Sequence, residues 1–97
     1  MVNAKRYVVY MLHCRDGSLY TGITDDLKKR LQAHNAGKGA KYTRSRLPVT
    51  VACFWEVASK ELALHWEWKI KKLRRKQKIQ LLAQKKKTDA PLEDLLP

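Results

Sequence analysis

The hydrophobic pattern opens with an unbroken run. Residues 7–12, Tyr-Val-Val-Tyr-Met-Leu, are aromatic, β-branched or long and apolar, the composition of a buried strand. Arg15-Asp16-Gly17-Ser18 is a turn signal, and residues 19–23 return as a second strand. A two-residue turn at Asp16-Gly17 would set Tyr20 opposite His13, placing Tyr10 and Tyr20 on opposite faces. A three-residue loop or a bulge would bring them to one face. Local turn preference favours the first arrangement.

From Leu27 the period changes. Leu27, Arg30, Leu31 and His34 fall at i, i+3, i+4 and i+7, one face of a helix over residues 25–34. Thr24, Asp25 and Asp26 supply capping oxygens and negative charge to its first turn, and Asn35-Ala36-Gly37 suits a left-handed C-cap. Arg30 and His34 sit awkwardly on a face that otherwise belongs to a core. Either they reach solvent from its margin, as long charged side chains commonly do, or they belong to a site at the edge of the core. Gly22, just upstream, supplies backbone freedom for a bend or a close approach.

Residues 38–46 read as a basic loop containing one aromatic. Lys41, Tyr42, Arg44 and Arg46 there can meet phosphates and lay a ring on a base or sugar, or the segment is an ordinary solvated connection. Pro48 precedes a third strand over residues 49–57, whose alternation puts Val49, Val51, Cys53, Trp55 and Val57 on one side. Ser59 N-caps the next helix, with Leu62, Ala63, Trp66, Ile70 and Leu73 as its apolar face. Glu67 projects beside Ala63 and Ile70, while Leu64 and Trp68 form a smaller patch that needs its own cover. The phase then fails: Ile79, Leu82 and Ala83 do not continue from Leu73. A break is expected near residues 74–77, with a third helix after it. The pattern therefore predicts an α+β fold, a three-stranded antiparallel sheet flanked by about three helices.

Length and composition narrow the class. Ninety-seven residues make one domain with a real core, expected over residues 1–87, followed by an acidic tail over 88–97 that is either disordered or laid back over the basic helix. No apolar run approaches a membrane span and the first residues lack a secretory hydrophobic region, so no membrane is expected and the cytoplasm is the expected location. Cys14 and Cys53 read as small buried strand residues, and neither has the spacing of a zinc ligand. Lysines and arginines number 21 against nine acids, for a formal net charge of +12 and a pI near 10.0. All of those bases precede Thr88, and ten of them crowd residues 69–87, where no acid occurs. Such a run is either a solvated face or a track for backbone phosphates, with Lys71, Lys72 and Arg75 as its candidate contacts. Clustered positive charge favours nucleic acid as the partner, DNA ahead of RNA.

Phosphodiester hydrolysis needs an activated water, a counter-charge for the phosphorane-like transition state and help for the leaving oxygen. Arg30 offers a planar fork suited to non-bridging phosphate oxygens. Glu67 can hold a hard Mg²⁺ or Mn²⁺ through oxygen. Tyr10 or Tyr20 can position or deprotonate the water if nearby cations lower its pKa, and His34 can hydrogen-bond a tyrosine or relay a proton.

Val8-Val9-Tyr10, then Tyr20-Thr21-Gly22, then Arg30 and His34, and finally Glu67 resembles the GIY-YIG nuclease family, across residues 6–73. The likeness is greatest to its small stand-alone bacterial members. Val8-Val9 replaces Gly-Ile and Thr21 replaces the middle isoleucine, while Tyr10, Tyr20 and Gly22 keep the pattern. The resemblance implies a three-stranded antiparallel sheet with flanking helices and both tyrosines on one face, hence the three-residue loop or bulge. It implies Tyr10 as general base, Tyr20 lining the site, Arg30 stabilising the phosphate, His34 one turn on, and Glu67 as ligand of a single divalent ion. The implied activity is a metal-dependent endonuclease acting in DNA repair or recombination. Family nucleases with a defined target usually carry a second domain for which 97 residues leave no room. Weak specificity, selection by nucleic-acid shape, or a protein partner for targeting is the expected consequence. The competing expectation is a catalytically silent nucleic-acid-binding or adaptor module on the same scaffold.

Overall fold

The structure, a computed structural model, describes residues 6–96. The expectations for residues 1–5 and for Pro97 lie outside it. In chain order it holds β1 (Tyr7–His13), β2 (Leu19–Thr24), α1 (Leu27–Asn35), α2 (Lys41–Arg44), β3 (Thr50–Val57), α3 (Lys60–Lys71), α4 (Arg75–Thr88) and α5 (Leu92–Leu95). The strands form one antiparallel sheet in the order β2-β1-β3, so the fold class is α+β as expected. Five helices replace the expected three, because α2 and α5 are single turns too short to show a helical period. No described helix is long and apolar enough to cross a membrane.

The β1–β2 hairpin takes the three-residue loop. Cys14 N–H donates to Ser18 O at 2.9 Å and Gly17 N–H to Cys14 O at 2.9 Å, with Gly17 at φ 85°. Glycine is needed there for that positive φ. Leu12 therefore pairs with Tyr20 and Tyr10 with Gly22, and both tyrosines share a face. On the other side of β1, Met11 pairs with Cys53 but Leu12 pairs with Val51, leaving Ala52 as the extra residue of a β-bulge. This corrects the strict alternation expected of β3. Cys53 and Trp55 face the main core, whereas Val49 and Val51 turn to the tyrosine face.

Each face has its own cluster. Val9, Met11, Cys53 and Trp55 pack against Ala63, Trp66 and Ile70 of α3, Leu81 and Leu82 of α4, and Leu92 of α5. Tyr10, Leu12, Cys14 and Val49 are buried on the opposite face, with Leu27 and Leu31 of α1 against them. Burial pushes the Cys53 thiol up to about 12, which suits an inert strand residue. Side-chain caps fix the starts of α1 and α3: Asp26 accepts from Lys29 N–H at 3.1 Å and Ser59 from Leu62 N–H at 3.2 Å.

Several helix-face expectations change. Leu62 is exposed, so the buried stripe of α3 is Ala63, Trp66 and Ile70 alone. Leu64 and Trp68 remain exposed among the described residues, so the cover their patch called for is not present there. The helix break falls slightly earlier than expected, with Arg74 capping α4, and Leu81 is buried where Ile79 is not. The acidic tail carries α5, whose Leu92 is 1% exposed in the main core. Burying one leucine contributes about 1.5–3 kcal/mol, enough to hold a single helical turn in place.

Candidate active site

The tyrosine face of the sheet is where the site residues meet. Asp26 starts α1 and Leu27 and Leu31 bury its inner stripe, so His34, three residues after Leu31, drops onto the same face. There the Tyr10 hydroxyl lies 2.8 Å from His34 Nε2, and His34 Nδ1 lies 2.8 Å from Thr43 Oγ1. Tyr10, His34 and Thr43 are all essentially inaccessible to solvent. Thr43 Oγ1 in turn donates to the Ala40 carbonyl at 3.0 Å. Both ring nitrogens of His34 are thus paired inside the core, and the second partner comes from α2.

Two glycines make room for this chain of bonds. A Cβ at Gly22 would lie 2.5 Å from the Tyr10 hydroxyl oxygen, and one at Gly39 would lie 2.2 Å from His34 Nδ1. Gly37, at φ 77°, closes α1 in a Schellman motif: its N–H donates to His34 O and Lys38 N–H to Ala33 O. That turn brings Gly39 back over the imidazole.

Electrostatics follow from burial and one cation. Burial raises the Tyr10 pKa above the usual phenol value, opposed by a hydrogen bond from the Arg30 guanidinium; the Tyr20 phenol raises it further, Arg30's charge lowers it and Glu67 raises it. Burial also lowers the His34 pKa below the ordinary histidine value, and the charge of Arg30 adds to that. Arg30 and Glu67 therefore both lie within electrostatic reach of the Tyr10 hydroxyl.

Tyr20 extends the site outward. Its ring centroid is 6.4 Å from that of Tyr10 and 5.4 Å from that of His34. Tyr42 stacks on Tyr20 at 5.9 Å, and the Arg46 guanidinium lies 3.9 Å from the Tyr42 centroid. Arg46 also bonds Asp16 through Nε at 2.9 Å and donates to Tyr42 O at 2.7 Å. Its charge thus braces α2 against the hairpin loop. Lys41 and Arg44 are exposed on α2.

Glu67 comes from α3, which packs beside β2 and β1. It pairs with Lys71 at 3.4 Å, while Lys71 Nζ also lies 5.5 Å from the Tyr20 ring centroid. Lys72 Nζ stands 3.6 Å from the centroid of the still exposed Trp68 ring, and Arg75 donates to Gly17 O at 3.0 Å. Lys78 is pushed below the usual lysine range by burial first and by the charge of Lys71 second, a sign that cations of α3 and α4 converge. No group of three or more His, Cys, Asp or Glu able to hold a metal ion occurs among the described residues. The single part-buried carboxylate of Glu67, near a phenol and a cation, still fits a hard divalent ion that keeps most of its waters and takes the rest from a phosphate.

Thr43, Gly39 and Asp16 were not anticipated as site residues. The signal for Gly39 was its place just past the helix stop, where a second glycine suggests close approach. Thr43 had no signal of its own, being a small polar residue between two charged neighbours.

The GIY-YIG catalytic domain family matches residues 6–80. UPF0213 protein CPE1444 of Clostridium perfringens is 53% identical over 77 residues, covering 79% of this chain and 83% of that protein. The solution NMR structure of UPF0213 protein BH0048 from Bacillus halodurans, 48% identical, covers 82% of this chain and 85% of that one at a TM-score of 0.56. The solution NMR structure of protein EF2693 from E. faecalis, 42% identical, covers 86% and 88% at a TM-score of 0.58. A family match over most of the chain, relatives near half identical over four-fifths of it, and a sheet that sets Tyr10, Tyr20 and His34 on one face lead to the same conclusion: this chain belongs to the GIY-YIG family.

Proposed function

We propose that the protein is a divalent-metal-dependent endonuclease that hydrolyses phosphodiester bonds in DNA, selecting its substrate weakly or by shape, with RNA as the less favoured substrate. The observation that carries this reading is the buried Tyr10–His34 hydrogen bond of 2.8 Å with Arg30 beside it. A buried phenol–imidazole pair can rigidify any fold; what favours an enzyme is that this pair lies within electrostatic reach of both a guanidinium, Arg30, and a carboxylate, Glu67. Arg30 supplies the fork for non-bridging phosphate oxygens, and Tyr10 removes a proton from the attacking water with His34 at its back. Tyr20 lines the site. Glu67 would hold the Mg²⁺ or Mn²⁺ ion, which when bound polarises the phosphate and offsets charge on the departing oxygen. Lys71 must then release Glu67, a modest cost for a half-exposed i,i+4 pair worth about 0.3–0.5 kcal/mol.

Lys41, Tyr42, Arg44, Lys71 and Arg75 surround this face and supply the sequence-independent hold on the backbone, and Lys72, over the exposed Trp68 ring, extends the basic surface along α3; Arg46 contributes mainly by holding Tyr42 in place. We extend this reading to a role in DNA repair or recombination, in the cytoplasm, with or without a targeting partner. The test is a Mg²⁺- and Mn²⁺-dependent cleavage assay over single-stranded, duplex, flap and branched substrates, with Arg30→Ala as control. Cleavage by the wild type and its loss in Arg30→Ala is the expected result. Salt-sensitive binding without cleavage of any substrate would overturn the enzyme reading in favour of a silent binding module.

A further inference from the structure

The hydrogen bonds around His34 have a direction, and the carbonyl end of the chain sets it. At one end stands the Ala40 carbonyl, which can only accept. The Thr43 hydroxyl, 3.0 Å away, gives its hydrogen there, on a carbonyl that also accepts from Thr43 N–H and Arg44 N–H. Its oxygen then faces His34 Nδ1 at 2.8 Å with a lone pair, so Nδ1 carries the ring hydrogen. A neutral imidazole with its hydrogen on Nδ1 has a bare Nε2, which can only accept, so the Tyr10 hydroxyl 2.8 Å away directs its hydrogen there. Tyr10, His34, Thr43 and Ala40 thus form one run in which every member donates to the next. The charge of Arg30, within electrostatic reach of the Tyr10 oxygen, favours that oxygen turning lone pairs and not its hydrogen towards the guanidinium.

From this geometry we infer that Thr43 is a positioning residue that locks His34 as the Nδ1–H tautomer, so that the bare Nε2 receives the Tyr10 proton when Tyr10 takes one from the attacking water. The inference rests on the nuclease reading for its chemistry, but not for its geometry. In the step itself, the water O–H bond breaks and its proton goes to the Tyr10 oxygen. The Tyr10 O–H bond breaks in the same motion and that proton goes to Nε2. The water oxygen bonds phosphorus, and the leaving oxygen departs with its electron pair. His34 ends as an imidazolium whose Nδ1–H never leaves Thr43.

The arrangement answers a difficulty that burial creates. A sealed phenol beside Glu67 does not ionise readily, so Tyr10 can act as a base only if its own proton has somewhere to go. A buried imidazole of the wrong tautomer would point an N–H at the phenol and close that route. Carboxylates orient histidines for the same purpose in hydrolase triads. Here a neutral threonine does so, which leaves the site without a second negative charge near the phosphate. Thr43 is buried and α2 is one turn long, so the hydroxyl has little room to reorient. Gly39 adds to this by holding backbone against the ring where any side chain would displace it.

The experiment is nitrogen NMR of ¹⁵N-histidine-labelled full-length protein together with steady-state cleavage. The wild type is expected to show His34 with a pyrrole-like Nδ1 and a pyridine-like Nε2. Thr43→Val, equal in shape but lacking the acceptor, should mix or reverse that pattern. It should also lower kcat roughly 10–100-fold with KM little changed, the scale on which orienting partners of reactive groups act. Thr43→Ser should restore both readouts. A wild-type His34 carrying its hydrogen on Nε2 would overturn the inference, as would Thr43→Val with unchanged tautomer and kcat. If Thr43→Val fails to fold, the wild-type tautomer and the Thr43→Ser variant still decide it. The tautomer can be read in protein that cleaves nothing, so failure of the nuclease reading would be seen separately.

Discussion

Replacing Gly39 by alanine tests the architecture of the site more severely than removing any charged residue. Gly39 is not in a left-handed conformation, so alanine there meets no backbone penalty. What it meets is the imidazole: the new Cβ would stand 2.2 Å from Nδ1, 2.7 Å from Cγ and 2.8 Å from Cε1 of His34. The ring is fully buried and held at both nitrogens, so it cannot swing aside as a flexible side-chain tip would. Overpacking of this kind costs about 1–3 kcal/mol. Displacing the ring also strands buried partners in Tyr10 and Thr43, at about 1–3 kcal/mol. Alanine's smaller unfolded-state entropy returns only about 0.4–1 kcal/mol. The net loss is roughly 1–5.5 kcal/mol against a domain stability of about 5–15 kcal/mol. Gly17→Ala is the informative control, because its Cβ would touch nothing within 4 Å and only the φ of 85° is strained, at about 1–2 kcal/mol. Urea unfolding followed by circular dichroism gives both values, and melting should fall by about 4–8 °C for each kcal/mol lost. Gly39→Ala within about 0.5 kcal/mol of wild type, a shift typical of an ordinary surface change, would show that the ring is not wedged as described.

Three further outcomes follow from the same geometry. Glu67→Gln should leave folding and metal-free nucleic-acid binding nearly intact and abolish metal-dependent cleavage; wild-type cleavage by this variant would reduce Glu67 to the partner of Lys71. Neutralising Lys71, Lys72 and Arg75 together should flatten the dependence of log affinity on log salt by about 0.9 for each phosphate that no longer meets a cation, and an unchanged slope would return α3 and α4 to a solvated face. Stability should be insensitive to His34 above pH ~6.5, where folded and unfolded imidazoles are both neutral. It should fall as pH drops from there towards the lowered folded value, because only the unfolded chain takes up the proton. His34→Gln should remove that part of the slope in urea unfolding at stepped pH, and a slope identical to wild type would contradict the buried neutral ring.

The parts of the fold legible in the sequence are those governed by short-range pattern. Residues 7–12 and 19–23 gave strands because a run of β-branched and aromatic residues on either side of Asp16-Gly17 has few other uses. The caps at Asp26 and Ser59 were readable because a capping oxygen needs only a neighbour three residues away. Alternation in β3 failed at Ala52, since a bulge answers to the partner strand and leaves no mark on its own residues. The same limit explains Leu62: helical period gives a face, but which of its positions find cover is set by the strands α3 packs on. Hairpin register is an intermediate case. Turn chemistry alone favoured two loop residues, and the family resemblance was needed to reach the three that put Tyr10 beside Tyr20.

The site divides along a different line. Tyr10, Arg30, His34 and Glu67 stand out in the sequence because each is the wrong chemistry for its position: a phenol in a buried strand, a cation and an imidazole on an apolar helix face, an acid in a lysine-rich helix. Thr43 cannot be found in that way, since a threonine between basic residues violates nothing. Its importance exists only relative to a ring nine residues away in sequence, and it becomes visible only once Gly37 turns the chain and Gly39 lets it pass the imidazole. A buried histidine on a helix face does, however, impose a demand: two ring nitrogens, one donor and one acceptor, must both be met. The Tyr10 hydroxyl can meet one of them. The second partner had to come from elsewhere, and the turn signals at Gly37 and Gly39 confine the search to the few residues after α1. Among these Thr43 has a short hydroxyl that can accept from a ring N–H while giving its own hydrogen to a carbonyl one turn back. A lysine or arginine at that place could only donate, and would have forced the opposite tautomer on His34.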